Sequence, residues 1–360
     1  MDRYSHLKPW QGLSVVITLG FFLTGCESLS YYWQAGQGQW QIQRESQSVS
    51  ELIASPDTPT QLRQRLSLSQ EILKFAHKTL DLPDNGSYQH YADLERPFVV
   101  WNLFASEEFS TDLHRWCYPV AGCLHYRGYF DPEDAKQAAI NYQQQGFDTW
   151  IGGVRAYSTL GWFKDPLLNT FVFDDELQLA ELIFHELAHQ KVFAKGDTAF
   201  NESLATVIAA EGTRRWAAQH QLIYDSSAVM ADINARQNFS NLVQNTREQL
   251  SRLYQQALTT KEMRQTKQQL LDTLRHEYQQ RRQGEWQSFD RFDQWMTGPL
   301  NNAKLGTIAS YYQWVPLFEH RLKALGRDLP AFYDQLQTLA KLPEETRQQE
   351  LHKMHSLYNQ

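Results

Sequence analysis

The chain has 360 residues and a formal net charge of −7, which allows one large domain or two small ones. An acidic balance without basic clusters argues against nucleic-acid binding. Beyond the amino-terminal segment no apolar run is long enough to span a bilayer.

Residues 1–25 read as a targeting segment outside the fold. Arg3 and Lys8 charge its start, residues 13–23 form a short apolar run, and Leu23-Thr24-Gly25-Cys26 resembles a bacterial lipobox. Such a signal is cut before the cysteine, whose thiol and new amino group become acylated. An ordinary signal peptide and an uncleaved anchor are the alternatives. Glu27 follows where an aspartate would favour the inner membrane. The expectation is therefore a lipid anchor at Cys26, on the periplasmic side of the outer membrane.

Residues 30–80 read as two helices. Thr58-Pro59 opens the second, and Leu62, Leu66, Ile72, Phe75 and Leu80 mark its apolar side. A loop over 81–96 leads to a strand-like run at 98–104. With Cys26 assigned to lipid, Cys117 and Cys123 remain as an even pair in an exported chain. That suggests a disulfide across the short loop 118–122, with two free buried thiols as the alternative. Asp131-Pro132-Glu133 starts a helix that ends near Gly146. Residues 148–158 read as an extended strand. Gly152 and Gly153 there allow another backbone to approach closely, or mark a bulge in an internal strand.

The next segment carries the chemistry. His185-Glu186-Leu187-Ala188-His189 is H-E-x-x-H inside an apolar helical run. Asp174 and Asp175 offer an N-cap, and Leu177, Leu179, Leu182, Ile183, Leu187 and Val192 supply the apolar face. Lys195-Gly196 reads as the helix end. Positions i and i+4 share a face, so His185 and His189 can point two imidazoles at one cation. Glu186 is placed to hold and deprotonate a water beside it. A second helix begins between residues 197 and 201, with Glu202 in or near its first turn. If the two helices pack antiparallel, Glu202 returns to the level of His189, and Ala205 lets the helices come close. Two histidines and a glutamate with an open fourth position is the arrangement of a catalytic Zn²⁺, not of a structural one. The bland alternative is a solvated histidine pair and a surface glutamate.

Residues 214–285 change character. They are rich in Gln, Arg, Lys and Glu with leucines at helical spacing, and read as two long polar helices forming a hairpin arm with solvated charges. Residues 300–318 read as a further helix running through Tyr311, Tyr312, Trp314 and Phe318, and helices continue to the end.

With these residues in view, the chain resembles a bacterial family of predicted zinc-dependent aminopeptidase lipoproteins over most of its mature length. The resemblance rests on Tyr91-Ala92-Asp93-Leu94, Arg96-Pro97-Phe98-Val99-Val100-Trp101, residues 116–123 and Tyr126-Arg127-Gly128-Tyr129-Phe130. Its strongest stretches are residues 156–163 and the zinc motif through Asn201-Glu202-Ser203. It implies a gluzincin-like peptidase with one Zn²⁺ held by two His and one Glu. In thermolysin-like enzymes a sheet edge beside the zinc helix pairs with substrate, and residues 147–163 stand in the matching chain position. Aminopeptidases with H-E-x-x-H bind the substrate amine through a glutamate in a Gly-x-Met-Glu-Asn segment. Here that place reads Gly152-Gly153-Val154-Arg155-Ala156, without an acid, which leaves Asp148 and Asp165 as the nearest candidates.

The expected fold is α+β and mainly helical, a gluzincin-like core with a small mixed sheet and a long helical arm. The expected divisions are 1–25 lipoprotein signal peptide, 26–213 N-terminal helices, sheet and zinc-binding helices, 214–285 helical arm, and 286–360 C-terminal helices packing on the catalytic core. The expected function is a lipid-tethered zinc metallopeptidase acting on peptides, with aminopeptidase specificity implied by the resemblance alone. Glu186 is its base, and Tyr157, Tyr311 and Tyr312 are candidates for the oxyanion donor by residue type. A cell-envelope binding or scaffold lipoprotein with non-catalytic zinc, and a peptidoglycan-directed zinc amidase, are the alternatives. Nothing in the sequence sets the oligomeric state.

Overall fold

A computed structural model describes residues 33–34, 36–118, 122–156, 164–308 and 312–358. Helices dominate and the strands are few, so the fold is α+β and mainly helical. Among the described residues no helix is long and apolar enough to cross a membrane.

The main sheet has three antiparallel strands in the order β6 (Arg127–Tyr129), β3 (Val100–Glu107), β7 (Phe147–Val154). β3 and β7 pair along all eight residues, from Val100 opposite Val154 to Glu107 opposite Phe147. Side chains alternate between faces. Trp101, Leu103 and Ile151 pack with Ala135 and Ala139 of helix α3 (Pro132–Gln144). On the other face Phe104 lies against Trp150 and Tyr126. Asp131 caps α3, accepting from the Glu133 N–H at 2.7 Å. A hairpin of β4 (Trp116–Tyr118) and β5 (Gly122–Leu124) sets Cys117 directly opposite Cys123, and the two are disulfide-bonded. A smaller sheet joins β1 (Gln47–Ser48), β2 (His90–Ala92) and β8 (Leu167–Leu168).

The two glycines of β7 serve neither of the expected purposes. A Cβ on Gly152 would fall 2.4 Å from the Trp150 indole, and one on Gly153 would fall 2.4 Å from the Phe98 ring. Aromatic rings, not a second backbone, occupy that space.

Before the sheet, residues 36–45 are helical, and α1 (Val49–Ala54) and α2 (Thr60–Thr79) follow. Three helical segments thus replace the expected two. The molecule's centre is α4 (Glu176–Lys191) packed antiparallel on α5 (Thr198–His220). Trp216 near the end of α5 donates to Glu176 at the start of α4, at 3.0 Å. Ala205, Ala209 and Gly212 line the seam and are almost completely buried. α4 ends at Lys191 rather than at Lys195. Val192 turns extended, and Gly196 takes its left-handed backbone (φ 82°) inside the connecting loop.

The arm consists of α6 (Ser226–Tyr254) and α7 (Thr260–Gln283). The start expected at residue 214 falls inside α5, which runs on to His220. Asp225 caps α6, and Thr259 with Glu262 forms a capping box on α7. The arm has its own core, in which Phe239, Leu242 and Leu250 meet Leu271, Leu274, Tyr278, Trp286 and Phe289. Not every charge on its inner side is solvated as expected. Lys267 is buried and pairs with Asp148 of β7 at 2.7 Å, while Arg264, itself exposed, pairs with Glu108 at 2.5 Å.

The single helix expected over residues 300–318 is two, α9 (Asn302–Gly306) and α10 (Val315–Ala324), with the short α8 (Asp293–Met296) before them. Pro316 fits the first turn of a helix and not its interior, so α10 starts afresh there. α10, α11 (Leu329–Ala340) and α12 (Glu344–Tyr358) complete the main core around α4 and α5. Phe318 meets Phe200, with ring centroids 5.4 Å apart.

Candidate metal centre and its cleft

Three ligand-type side chains converge where α4 ends and α5 begins. Asp175 caps α4, taking the Gln178 N–H at 3.0 Å. One face of the helix then carries His185 and His189, whose rings stand nearly perpendicular with centroids 4.8 Å apart. The connecting loop is fixed by Asn201, which accepts from the Ala194 N–H and donates to the Ala194 carbonyl, each at 2.8 Å. Asp197 caps α5 through Phe200 N–H at 3.0 Å, while its other oxygen receives Arg347 Nε at 2.7 Å and Gln348 Nε2 at 2.9 Å. This pinned start puts Glu202 opposite the histidines.

His185 Nε2 lies 3.2 Å from His189 Nε2 and 3.2 Å from Glu202 Oε2, and His189 Nε2 lies 3.5 Å from Glu202 Oε1. A tetrahedral zinc with bonds of about 2.0–2.1 Å has ligand–ligand edges of about 3.3 Å, so the three groups fit such an ion. Two imidazole nitrogens that close also need a proton or a cation between them. Among the described residues this is the cluster of His, Cys, Asp or Glu able to hold a metal ion.

The electrostatics are those of a crowded, buried site. Burial pushes Glu186 up to about 7, Glu202 and Asp165 add to the rise, and His185 opposes it. Burial and then the neighbouring His185 push His189 down to about 4. His185 goes the other way. Burial works against its protonation, but the hydrogen bond with Glu202 and the charge of Glu186 outweigh that and raise it. Glu202 is likewise lowered against its own burial by both histidines. His189 Nδ1 is buried without a hydrogen-bond partner.

The cleft over this cluster has two lobes that meet at His185 and Glu186. One, of about 310 Å³, runs along α4 past Leu182, Glu181 and Gln178 to Arg155, and is walled by Arg236 and Arg291. The other, of about 360 Å³, contains His189, Glu202, Tyr126, Ala156 and Phe193. The arm is thus a wall of the cleft, since Arg236 belongs to α6. β7 is the edge of its sheet and leads into the cleft through Arg155 and Ala156. Arg155 is held by the Thr170 carbonyl at 2.8 Å and by Asp174 at 2.5 Å.

Other expected residues fall in different places. Tyr312 stands behind the cleft wall, its hydroxyl 3.4 Å from Arg236 Nη1 and its ring under that guanidinium at 5.6 Å. Asp148 receives Lys267 and the Asn302 N–H on one carboxylate oxygen. Asp165 is buried and within electrostatic reach of Glu186. Tyr157, Tyr311 and Cys26 lie outside the described residues. Sequence reasoning missed Arg236, Arg291 and Tyr126, which reach the cleft from distant segments, and Phe193, which closely follows α4. It also missed Tyr88, a buried residue with φ 62° whose hydroxyl is raised by burial and then by Glu186 and Asp165. A tyrosine in the left-handed region is strained, and no sequence signal marks it.

Residues 30–351 match the model of a protein family described as "Putative aminopeptidase". No curated protein and no solved structure matches the chain.

Proposed function

Because the chain belongs to the family described as "Putative aminopeptidase", we propose that it is a zinc-dependent peptidase of gluzincin type. His185, His189 and Glu202 are its metal ligands and Glu186 is its base. The observation that carries this reading is the convergence of three ligand side chains, in which His185 Nε2 and His189 Nε2 lie 3.2 Å apart and each faces one oxygen of the Glu202 carboxylate at 3.2 and 3.5 Å, with a half-buried carboxylate next in the chain. A purely structural zinc needs no such base.

Zn²⁺ held there supplies a Lewis acid that polarises the scissile carbonyl and acidifies the attacking water. Glu186 accepts a proton from that water as its oxygen adds to the carbonyl carbon. It then delivers the proton to the amide nitrogen as the C–N bond breaks, giving an acid and an amine. The developing oxyanion needs a donor. Tyr312 is a candidate by residue type; its hydroxyl accepts from Arg236 of the cleft wall, and a turn of its side chain toward the cleft is needed for the role. Tyr157 and Tyr311 are the alternatives. The mature chain is tethered by lipid at Cys26 to the periplasmic side of the outer membrane. Aminopeptidase specificity rests on the family alone.

The test is metal removal. Purified mature protein should carry about one Zn²⁺ per chain and cleave members of a peptide library. A chelator should abolish both and added Zn²⁺ restore both. Full cleavage by metal-free protein would defeat the reading.

A further inference from the structure

The two lobes of the cleft differ in what they leave for a ligand to meet. In the lobe beside His189 and Glu202, the polar lining is already committed. The Asn201 amide is closed on Ala194 at both ends. The Asp197 carboxylate is shared among Phe200 N–H, Arg347 and Gln348. Thr198 adds only a neutral hydroxyl. Apart from the reacting groups, the surface that remains is the rings of Tyr126 and Phe193 with Ala156 and Gly196.

Those rings are 39% and 43% exposed. Large apolar side chains left open at a concave surface are the informative kind of exposure. About half of the lobe's lining is polar, supplied mainly by the reacting groups, and the rings lie beside them, an arrangement in which apolar surface holds a ligand and convergent polar groups orient it. Tyr126 is also braced from behind, since Phe104 lies 5.9 Å from it and Trp150 5.7 Å from Phe104. The opposite lobe is lined by Arg155, Asp174, Glu181, Arg236 and Arg291, which suits an apolar group poorly.

We propose that the Tyr126–Phe193 lobe is a specificity subsite for a bulky apolar side chain, aromatic or large aliphatic, on the peptide residue next to the scissile bond. Phe193 and Tyr126 are its specificity-determining residues. This rests on the peptidase reading. A lobe of about 360 Å³ has room for such a side chain, and its burial against the rings is favourable because, apart from the reacting groups, no uncommitted charge is desolvated with it.

The test uses the zinc-loaded full-length mature chain and three phosphinic dipeptide analogues, which chelate zinc and carry side chains on both sides of the mimicked bond. The pairs are Ala/Ala, Phe/Ala and Ala/Phe, and binding is read by calorimetry. One of the two Phe-containing analogues should bind at least about 10-fold more tightly than Ala/Ala. In Phe193→Ala, whose side chain is a surface one and whose loss leaves the core intact, that ratio should fall below about 3-fold. Equal binding of all three, or a preference that survives both Phe193→Ala and Tyr126→Ala, overturns the subsite while leaving the peptidase reading in place. Failure of even Ala/Ala to bind zinc-loaded protein overturns both.

Discussion

Burial raises Glu186 to about 7, so near neutral pH it takes and releases a proton with little bias, as a general base must. The free enzyme needs its carboxylate form. Activity (kcat/KM) should therefore fall as pH drops through its pKa, and a cation at the neighbouring triad pulls that pKa lower. The acid limb should thus lie at or below about pH 7, and a pH–rate profile measures it. A limb well above that would remove Glu186 from the role. Glu202 contributes a ligand and not merely a charge. Glu202→Ala should weaken zinc binding by about 100-fold or more, read by competition with a chelating dye. Unchanged affinity would take Glu202 out of the site. Both histidines and both glutamates were legible in the sequence, because helical spacing puts the histidines on one face with Glu186 beside them, and an antiparallel second helix returns Glu202 to their level. Tyr88 and Arg236 were not. They arrive through long-range packing, and residue type says nothing of that.

The α4–α5 pair is held at its two ends by different means. At the ligand end, the Asp197 cap and the Asn201 clasp fix the loop. Along the seam, a Cβ on Gly212 would come 2.7 Å from both Leu80 and Phe184, which are fully buried. Helix propensity favours Gly212→Ala by about 1 kcal/mol, while overpacking costs about 1–3 kcal/mol. Packing should win, and thermal unfolding should show a net loss of about 1 kcal/mol; a stabilised variant would contradict the seam. At the far end Trp216 donates to Glu176. Beside Gly212, the fully buried carboxylate of Glu211 meets Arg214 and Arg215 of its own helix and Arg327 of the loop before α11. Its pKa is lowered by these partners against its burial. A lowered folded pKa means that its stabilisation is complete above the unfolded value of about 4.3. It is lost as pH falls through the folded value. Glu211→Gln should cost roughly 2 kcal/mol at pH 7, a figure reduced because the arginines are partly exposed. The gap from wild type should close in strong acid, and melting curves against pH would show it. A gap that widens with acidity would refute the assignment. Caps and spacing made these elements readable, with Asp131 and Asp175 capping as the sequence suggested and Asp197 capping within the start expected over 197–201. Their exact ends were not readable. Gly196 serves a loop rather than a helix cap, and Gly152 and Gly153 make room for rings.

At the scale of the whole molecule, the arm matters more than its composition suggested. Its charges looked like a solvated face, yet Lys267 and Arg264 dock it on the sheet and Arg236 enters the cleft. Polar composition cannot reveal such docking, because a buried ion pair and a solvated charge use the same residues. The disulfide and the mainly helical class were legible, since the two cysteines flank a short turn-forming loop and the long periodic runs favour helices. The amino terminus carries its own prediction. Wild-type protein expressed in a Gram-negative host should fractionate with outer membranes, and Cys26→Ala should lose that association. Retention of Cys26→Ala in the membrane fraction would contradict the lipid anchor.

Comparing Glu186→Gln with wild type at equal zinc loading tests the central claim most directly. The amide matches the carboxylate in shape but accepts no proton. The account predicts unchanged zinc content and fold, with peptide hydrolysis lower by several orders of magnitude. Near wild-type turnover by the fully loaded variant, on any peptide the parent cleaves, would contradict it.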